Sequence, residues 1–548
     1  MNMTDAHRFT LSRHSSSWLL LCACLAVGVA LSLKLGQDAL WDTKNYHLYN
    51  AWAVLHNRNF QDIAAAGMQS YFNPLFDLPY FVLGTTLLSD WPRVLSGLMG
   101  LWFGALLYVL FRIGTRLADY QQRKVGLSEL IAALIGASGT MAVSQTGSNT
   151  HEIPLAVFVL WGLYLLMPLF QASPPPHSSR RALFAGLCCG FAAGFKPTAI
   201  IYPPALGFAL LFAPLPMGTR WKLIIILAAG SAAAFLLSYG WWGLHLYHLT
   251  GNPVFPLFNQ VFRSDLIPPA SMTDPQFRPR NLGQWLFYPF YWIHRNQHLV
   301  TEPPFSDGRY ALCMLALGAM AVRALWTRWR RVDAGRQEPA PVTRLLIAFV
   351  GAAYVMWLVL FSILRYVIPI EALTGLLLLI AVHAFMPTGW QGKGWIRTAD
   401  FALAILFALI VTTTHYPNWG RAPFEKQVFV VKTGQIERDS LVILGGAPTA
   451  YLAPFFPSAQ GTSFIGLNWF LQSSQGFRLW DMARENMTHW KGPRYLVLRD
   501  DDSFDLALLH QLLPAYRLDT CTLIQSNIEL EKRDNAPIGT LRLCRITD

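Results

Sequence analysis

Apolar stretches of membrane-crossing length, separated by short basic connections, constrain this chain more than any other feature. Spans fall near 17–35, 92–111, 127–145, 153–170, 183–195, 198–213, 223–245, 310–325, 345–363, 367–385 and 400–415. A helix needs about 20 apolar residues to cross a bilayer, and it satisfies its own backbone hydrogen bonds in hydrocarbon. The composition agrees, with 53% of residues hydrophobic and only 14% charged; soluble domains carry about 25% charged residues. Residues 74–89 are apolar but interrupted by Asp77 and turn formers, and read as a re-entrant or interfacial piece. A signal peptide is the competing reading of the first apolar run, which has a basic start and small residues near Ala30 to Ser32.

The net charge of +12 invites a nucleic-acid partner, but its distribution argues against one. Basic residues collect in alternate short connections: Arg112, Arg116, Arg123 and Lys124; Arg180 and Arg181; Arg220 and Lys222. Arg323, Arg328, Arg330, Arg331, Arg336 and Arg344 follow, then Lys393 and Arg397. This is the signal that sets membrane orientation, not a groove for phosphates. It places those connections, and the N-terminus with Arg8 and Arg13, in the cytoplasm. An odd number of spans then delivers the C-terminus to the opposite side.

The expected fold class is an all-α polytopic membrane domain of about 11 transmembrane helices with a small C-terminal extracytoplasmic α+β domain. The membrane domain covers residues 1–415, with outer-face loops 36–91 and 246–309, and the soluble domain covers 416–548. After Tyr416 the chain turns polar, with β-like runs at Leu441–Leu444, Tyr495–Leu498, Cys521 to Gln525 and Leu541–Cys544 separated by turn formers. Five of the seven cysteines lie in apolar spans. Cys521 and Cys544 face an oxidising compartment in this topology and are expected to pair; two free thiols are the alternative. No Cys/His spacing has the form of a zinc site, and there is no phosphate-binding glycine loop.

Four polar features stand at the outer ends of spans. Asp42 opens the stretch Trp41-Asp42-Thr43-Lys44-Asn45-Tyr46-His47-Leu48-Tyr49 just past the first span. Leu48, Trp52 and Leu55 share one side of a helix there, which reads as amphipathic and lying on the membrane surface. Asp42 is either a base at the mouth of the bundle or an N-cap. Glu152, preceded by His151, begins a span and is either catalytic or a first-turn acid favoured by the helix dipole. Lys196 precedes Pro197 and interrupts an apolar stretch; it is either a cation for a lipid phosphate or a side chain snorkelling to the interface. Arg365 and Tyr366 form a tight connection between two spans, as a phosphate clamp or an interface anchor. Trp41, Tyr46, Tyr71, Trp241 and Trp242 offer aromatic surfaces for a sugar, while His245, His248, His294 and His298 read as surface residues.

Taken in order, Asp42, Glu152, the stretch Gly190-Phe191-Ala192-Ala193-Gly194-Phe195-Lys196-Pro197-Thr198 and Arg365-Tyr366 resemble the GT-C class of membrane glycosyltransferases. That class includes the aminoarabinose transferase of lipid A and the protein O-mannosyltransferases. The segment Thr250-Gly251-Asn252-Pro253-Val254-Phe255-Pro256 is similar to one in bacterial members, and the resemblance covers roughly residues 17 to 415. It implies transfer of a sugar from a polyprenyl-phosphate donor to a lipid, glycan or protein acceptor at the outer face of a bacterial inner membrane. It implies Asp42 and Glu152 as catalytic carboxylates, and Lys196, Arg365, Tyr366, Lys44, Tyr46, His47 and His151 as substrate-binding residues. It leaves a divalent metal open as cofactor, but the first acid here is followed by Thr43-Lys44 instead of a second acid, so no metal ligand is assigned. The rivals are a transporter or lipid-linked sugar flippase whose buried charges line a path, and a scaffold without activity. The lack of an internal repeat argues against the carrier.

Overall fold

The computed structural model describes residues 3–547 apart from 59–60, 172–174, 271, 273, 296–298, 330–339, 387–392, 458, 501, 531, 534–535 and 538. His298, Arg330, Arg331 and Arg336, and the side chains of Arg8, Arg13, Lys393 and Arg397, lie outside the described residues. Helices run at all eleven expected positions. Among the described residues, seven are long and apolar enough to cross a membrane: Ser17–Leu35, Pro92–Tyr120, Glu152–Phe170, Met217–Thr250, Arg309–Trp329, Pro341–Leu360 and Leu364–Phe385.

The other four of the eleven expected positions carry helices that are shorter, broken or charged at one end. The apolar run 127–145 divides into Leu127–Ala137 and Thr140–Ser144. The division is stabilised by Glu371, whose carboxylate accepts from the N–H groups of Met141 and Ala142 at 3.1 and 2.9 Å. Those are orphan donors at a helix start, which an acid satisfies. Arg309, paired with Asp307 at 2.7 Å, donates to the carbonyl of Ser138 on the other side of the break. The run 198–213 becomes a 3-10 turn, Pro197–Ile201, and the short helix Tyr202–Leu210. Lys393–Thr413 supplies the last helix, and Ser178–Phe195 carries Arg180 and Arg181 in its first turn.

Ser178–Phe195 and Met217–Thr250 run parallel in close contact through a stripe of small residues. A Cβ on Gly190 would stand 2.2 Å from the Ser231 carbonyl oxygen, and one on Gly186 would stand 2.1 Å from that of Leu227. Glycine at every fourth position lets helix backbones meet where hydrocarbon offers no hydrophobic drive to associate. Asn73 then fastens the first loop to this pair, donating to the carbonyls of Gly194 and Ser238 at 2.9 Å each.

The C-terminal part carries a five-stranded sheet of β1 (Leu441–Leu444), β2 (Ser463–Gly466), β3 (Arg494–Arg499), β4 (Arg517–Leu523) and β5 (Leu541–Thr547), in the order β2-β1-β3-β5-β4. The first three are parallel and β5 is antiparallel to both neighbours. The helices Arg478–His489 and Ser503–Leu512 follow β2 and β3. Cys521 stands directly opposite Cys544 on neighbouring strands, and the two are joined in a disulfide.

This sheet shares its cores with the loops of the membrane part. Val442, Leu444, Tyr451 and Phe464 pack with Tyr46, Trp52 and Tyr80; Ile443, Leu496 and Leu509 pack with Tyr71, Trp242 and Phe255. Residues Gln37–Asp38 pair with Arg421–Ala422, and Ile63 bridges Ile465. Arg58, fully buried, pairs with Asp62 at 2.6 Å and donates to the carbonyls of Ala459 and Thr462. Two expectations are overturned here. The helix Leu48–Leu55 is buried from Leu48 to Ala53 beneath the sheet instead of lying on a membrane surface. Tyr71 and Trp242 are core residues, the indole N–H donating to the Tyr71 carbonyl at 2.9 Å, and do not offer faces to a ligand.

Candidate functional site

The chain leaves the first span at Gly36, whose φ of +96° is open to glycine and strained for other residues. It pairs briefly with Arg421–Ala422 and then enters a wide helical turn, Thr43–His47. Asp42 stands at the start of that turn and its side chain makes no capping bond. Its Oδ2 lies 2.7 Å from an Arg365 terminal nitrogen instead, and the Tyr46 hydroxyl donates to it at 3.3 Å.

Lys196 owes its position to Pro197. The residue before a proline is pushed out of the helical region, and Lys196 is extended (φ −144°, ψ 116°), so the helix stops at Phe195. Its Nζ does not snorkel away but meets Glu152 Oε1 at 2.5 Å. Glu152 is the first residue of its helix, and its Oε2 has no hydrogen-bond partner among the described residues.

Arg365 lies in the 3-10 turn Leu364–Val367, between two spans. Its Nε is 3.9 Å from Glu152 Oε1 and a terminal nitrogen is 3.8 Å from Glu302. Its guanidinium sits 5.6 Å from the Tyr366 ring and 5.7 Å from the Trp419 ring; Lys196 Nζ is 5.6 Å from Tyr366. Tyr202 holds the turn by donating to the Tyr366 carbonyl at 2.5 Å.

Asp42, Arg365, Glu152 and Lys196 thus form one alternating chain of charges at the end of the bundle nearest the C-terminal part. Asp42, Glu152 and Lys196 are buried. Such charges survive burial only when paired, and the spare acceptor on Glu152 and the unbonded Nε of Arg365 leave polar capacity for a ligand.

His47 and His151 join a second cluster. Nδ1 of His47 and Nε2 of His151 each lie 2.7 Å from the same oxygen of Asp77. Asn149 donates to that oxygen at 3.2 Å. Lys44 departs from the site, pairing with Glu529 at 3.1 Å, which is itself held by Arg499 at 2.8 Å.

Asp77 and Glu302 escaped the sequence reading. Asp77 had a signal, an acid interrupting an apolar stretch; Glu302 in its loop had none. As for a divalent cation, Asp42 and Glu152 are a poor donor pair, since each already faces a fixed cation. His47, Asp77 and His151 fit one better, with three ligand atoms within 4.8 Å of one another. Asp77 and His151 are 74 residues apart, too far for any local zinc spacing to show.

This helical bundle, with polar turns gathered at one end under an α+β part, has the fold of the GT-C class of membrane glycosyltransferases. Two solved structures carry the likeness. ArnT from Cupriavidus metallidurans, bound to undecaprenyl phosphate, is 12% identical with a TM-score of 0.50, over 96% of this chain and 97% of that one. The arabinofuranosyltransferase AftD from Mycobacteria is 16% identical with a TM-score of 0.50, over 96% of this chain. The chain spans only 39% of AftD's length. No protein-family model and no curated protein sequence matches the chain, so the likeness is one of fold.

Proposed function

We propose that this protein is a glycosyltransferase that moves a sugar from a polyprenyl-phosphate donor to an acceptor hydroxyl on a lipid, glycan or protein. The reaction runs at the end of the bundle covered by the C-terminal part, taken as the outer face of a bacterial inner membrane; the distribution of basic connections supports that orientation. The observation that carries this reading is the charge chain Asp42–Arg365–Glu152–Lys196, in which Asp42, Glu152 and Lys196 are buried. ArnT, a protein of this fold, is bound to undecaprenyl phosphate, which supports a lipid phosphate as the donor class.

In this mechanism the acceptor oxygen forms a bond to the anomeric carbon as the bond from that carbon to the phosphate oxygen breaks. The acceptor proton passes to the Asp42 carboxylate, and the electron pair leaves with the polyprenyl phosphate. Negative charge grows on that phosphate as the bond lengthens, so Lys196 and Arg365 stabilise the transition state more than the bound donor. Arg365 couples the two events. In the resting site it occupies the Asp42 oxygen; a donor phosphate competes for the guanidinium and frees that oxygen for the acceptor hydroxyl. Glu152 keeps both cations in place, and Tyr46 orients Asp42.

The test is transfer of labelled sugar from polyprenyl-phosphate donors to candidate acceptors by purified full-length protein. Asp42→Asn preserves shape and removes the base, and is expected to lower the rate at least about 100-fold, the low end for a lost general base. Near-normal turnover in that variant contradicts the assignment.

A further inference from the structure

We propose that His47, Asp77 and His151 form a binding site for one zinc-class divalent cation, separate from the charge chain that carries the transfer chemistry. All three side chains are buried, and their ligand atoms lie within 4.8 Å of one another. Two imidazoles and one carboxylate are a nitrogen-rich set that suits zinc and its first-row neighbours, whereas magnesium and calcium prefer oxygen alone. Three protein ligands leave a fourth, tetrahedral position for water, the arrangement of open zinc sites.

Two features of the cluster call for a cation. Neither nitrogen of the buried His47 ring makes a hydrogen bond among the described residues, although Nδ1 is only 2.7 Å from the Asp77 oxygen. The ring is close to the carboxylate but out of line for hydrogen bonding. Further, Asp77 is a buried carboxylate whose ion-pair partners among the described residues are these two histidines alone. A buried anion demands compensation, and a cation among the three groups supplies it. A tetrahedral metal at roughly 2.0–2.1 Å holds its ligands roughly 3.3–3.4 Å apart, so the two 2.7 Å contacts open by several tenths of an ångström while wider separations, up to 4.8 Å, close onto the metal. Asn149, donating to the Asp77 oxygen, is the kind of outer partner that fixes a ligating carboxylate.

The site joins three separate pieces of chain: the turn Thr43–His47, the start of Leu78–Thr85 and the start of Glu152–Leu166. His47 follows Tyr46, which bonds Asp42, and His151 precedes Glu152. A metal here is a positioning group that holds the frame of both acids.

Metal binding is measured on the full-length protein in detergent, stripped with chelator and desalted, independently of any transfer assay. With Co²⁺ as the probe, the wild type is expected to bind about one equivalent and to show the intense visible absorption of a tetrahedral site, which Zn²⁺ then displaces. His47→Gln, Asp77→Asn and His151→Gln are expected to bind at least about tenfold more weakly, while Asp42→Asn binds as the wild type does. Should a ligand variant fail to fold, judged by size-exclusion elution, the wild-type titration decides alone. Wild-type protein that takes up no stoichiometric Co²⁺, or folded ligand variants that bind it equally well, overturns the site; the cluster is then held by direct contacts of Asp77 with the two rings. An inactive Asp42→Asn that still loads Co²⁺ normally separates the two readings.

Discussion

Glu152 is the hinge of the charge chain, since both Lys196 and Arg365 face its Oε1 at 2.5 and 3.9 Å. Glu152→Gln takes from Lys196 its 2.5 Å partner, while Arg365 keeps Asp42 and Glu302, and losing one member of a buried pair costs roughly 3–5 kcal/mol. That variant is therefore expected to lose both transfer rate and thermal stability, read by unfolding in detergent beside the activity assay. Asp42→Asn differs, because Arg365 keeps Glu152 and Glu302; its unfolding midpoint stays near that of the wild type while its rate falls. At Lys196, arginine retains charge and alanine does not, so Lys196→Arg is expected to use donor better than Lys196→Ala. Equal donor use by wild type and both variants leaves Lys196 a purely structural partner of Glu152. Asp42, Glu152, Lys196 and Arg365 were each visible beforehand as a charge beside an apolar stretch. Their mutual pairing was not, because a lone charge specifies a need for a partner and not which partner answers it.

The helices Ser178–Phe195 and Met217–Thr250 are held by close backbone approach. Gly190→Val places new carbons where the Ser231 carbonyl already stands, and such overpacking typically costs about 1–3 kcal/mol. Its unfolding midpoint is expected to drop clearly, whereas Gly218→Ala, on a glycine with nothing within 4 Å, is expected to be neutral or slightly stabilising. Equal effects from the two changes would falsify the role of the stripe. Helix ends followed local chemistry well, as Lys196-Pro197 shows. The helix Leu48–Leu55 was misread because its apolar side matches a lipid surface and a protein sheet equally well; periodicity reports an apolar neighbour without naming it.

At the scale of the molecule, the C-terminal part is the cover of the site. Reporter fusions after residue 120 and after residue 430 are expected to report the cytoplasmic and the opposite side respectively; a cytoplasmic signal from the second contradicts the proposed orientation. This part also carries a pH dependence. Burial, with Asp502 adding like charge, pushes the Asp505 carboxyl up to about 7 against the pull of the Gly446 N–H. The folded state thus favours the protonated acid. Its stabilising contribution is full below the ordinary carboxylate range, near pH 4, and is lost as pH rises through about 7. Asp505→Asn is expected to gain stability over the wild type progressively across that window and to hold a constant lead above it. A lead of the same size at all pH values rules out this titration.

The sequence by itself determined where the apolar helices run, the order of the polar residues at their ends and the strand-bearing character of the last part. These depend on hydrophobicity, proline, glycine and turn residues, which act over a few neighbours in the chain. Only the tertiary structure decided that Arg365 answers Asp42 across 323 residues, that His47 and His151 converge on Asp77, and that Lys44 turns to Glu529. Those pairings come from how the helices and sheet pack together, and packing brings together residues whose separation along the chain carries no trace of the contact.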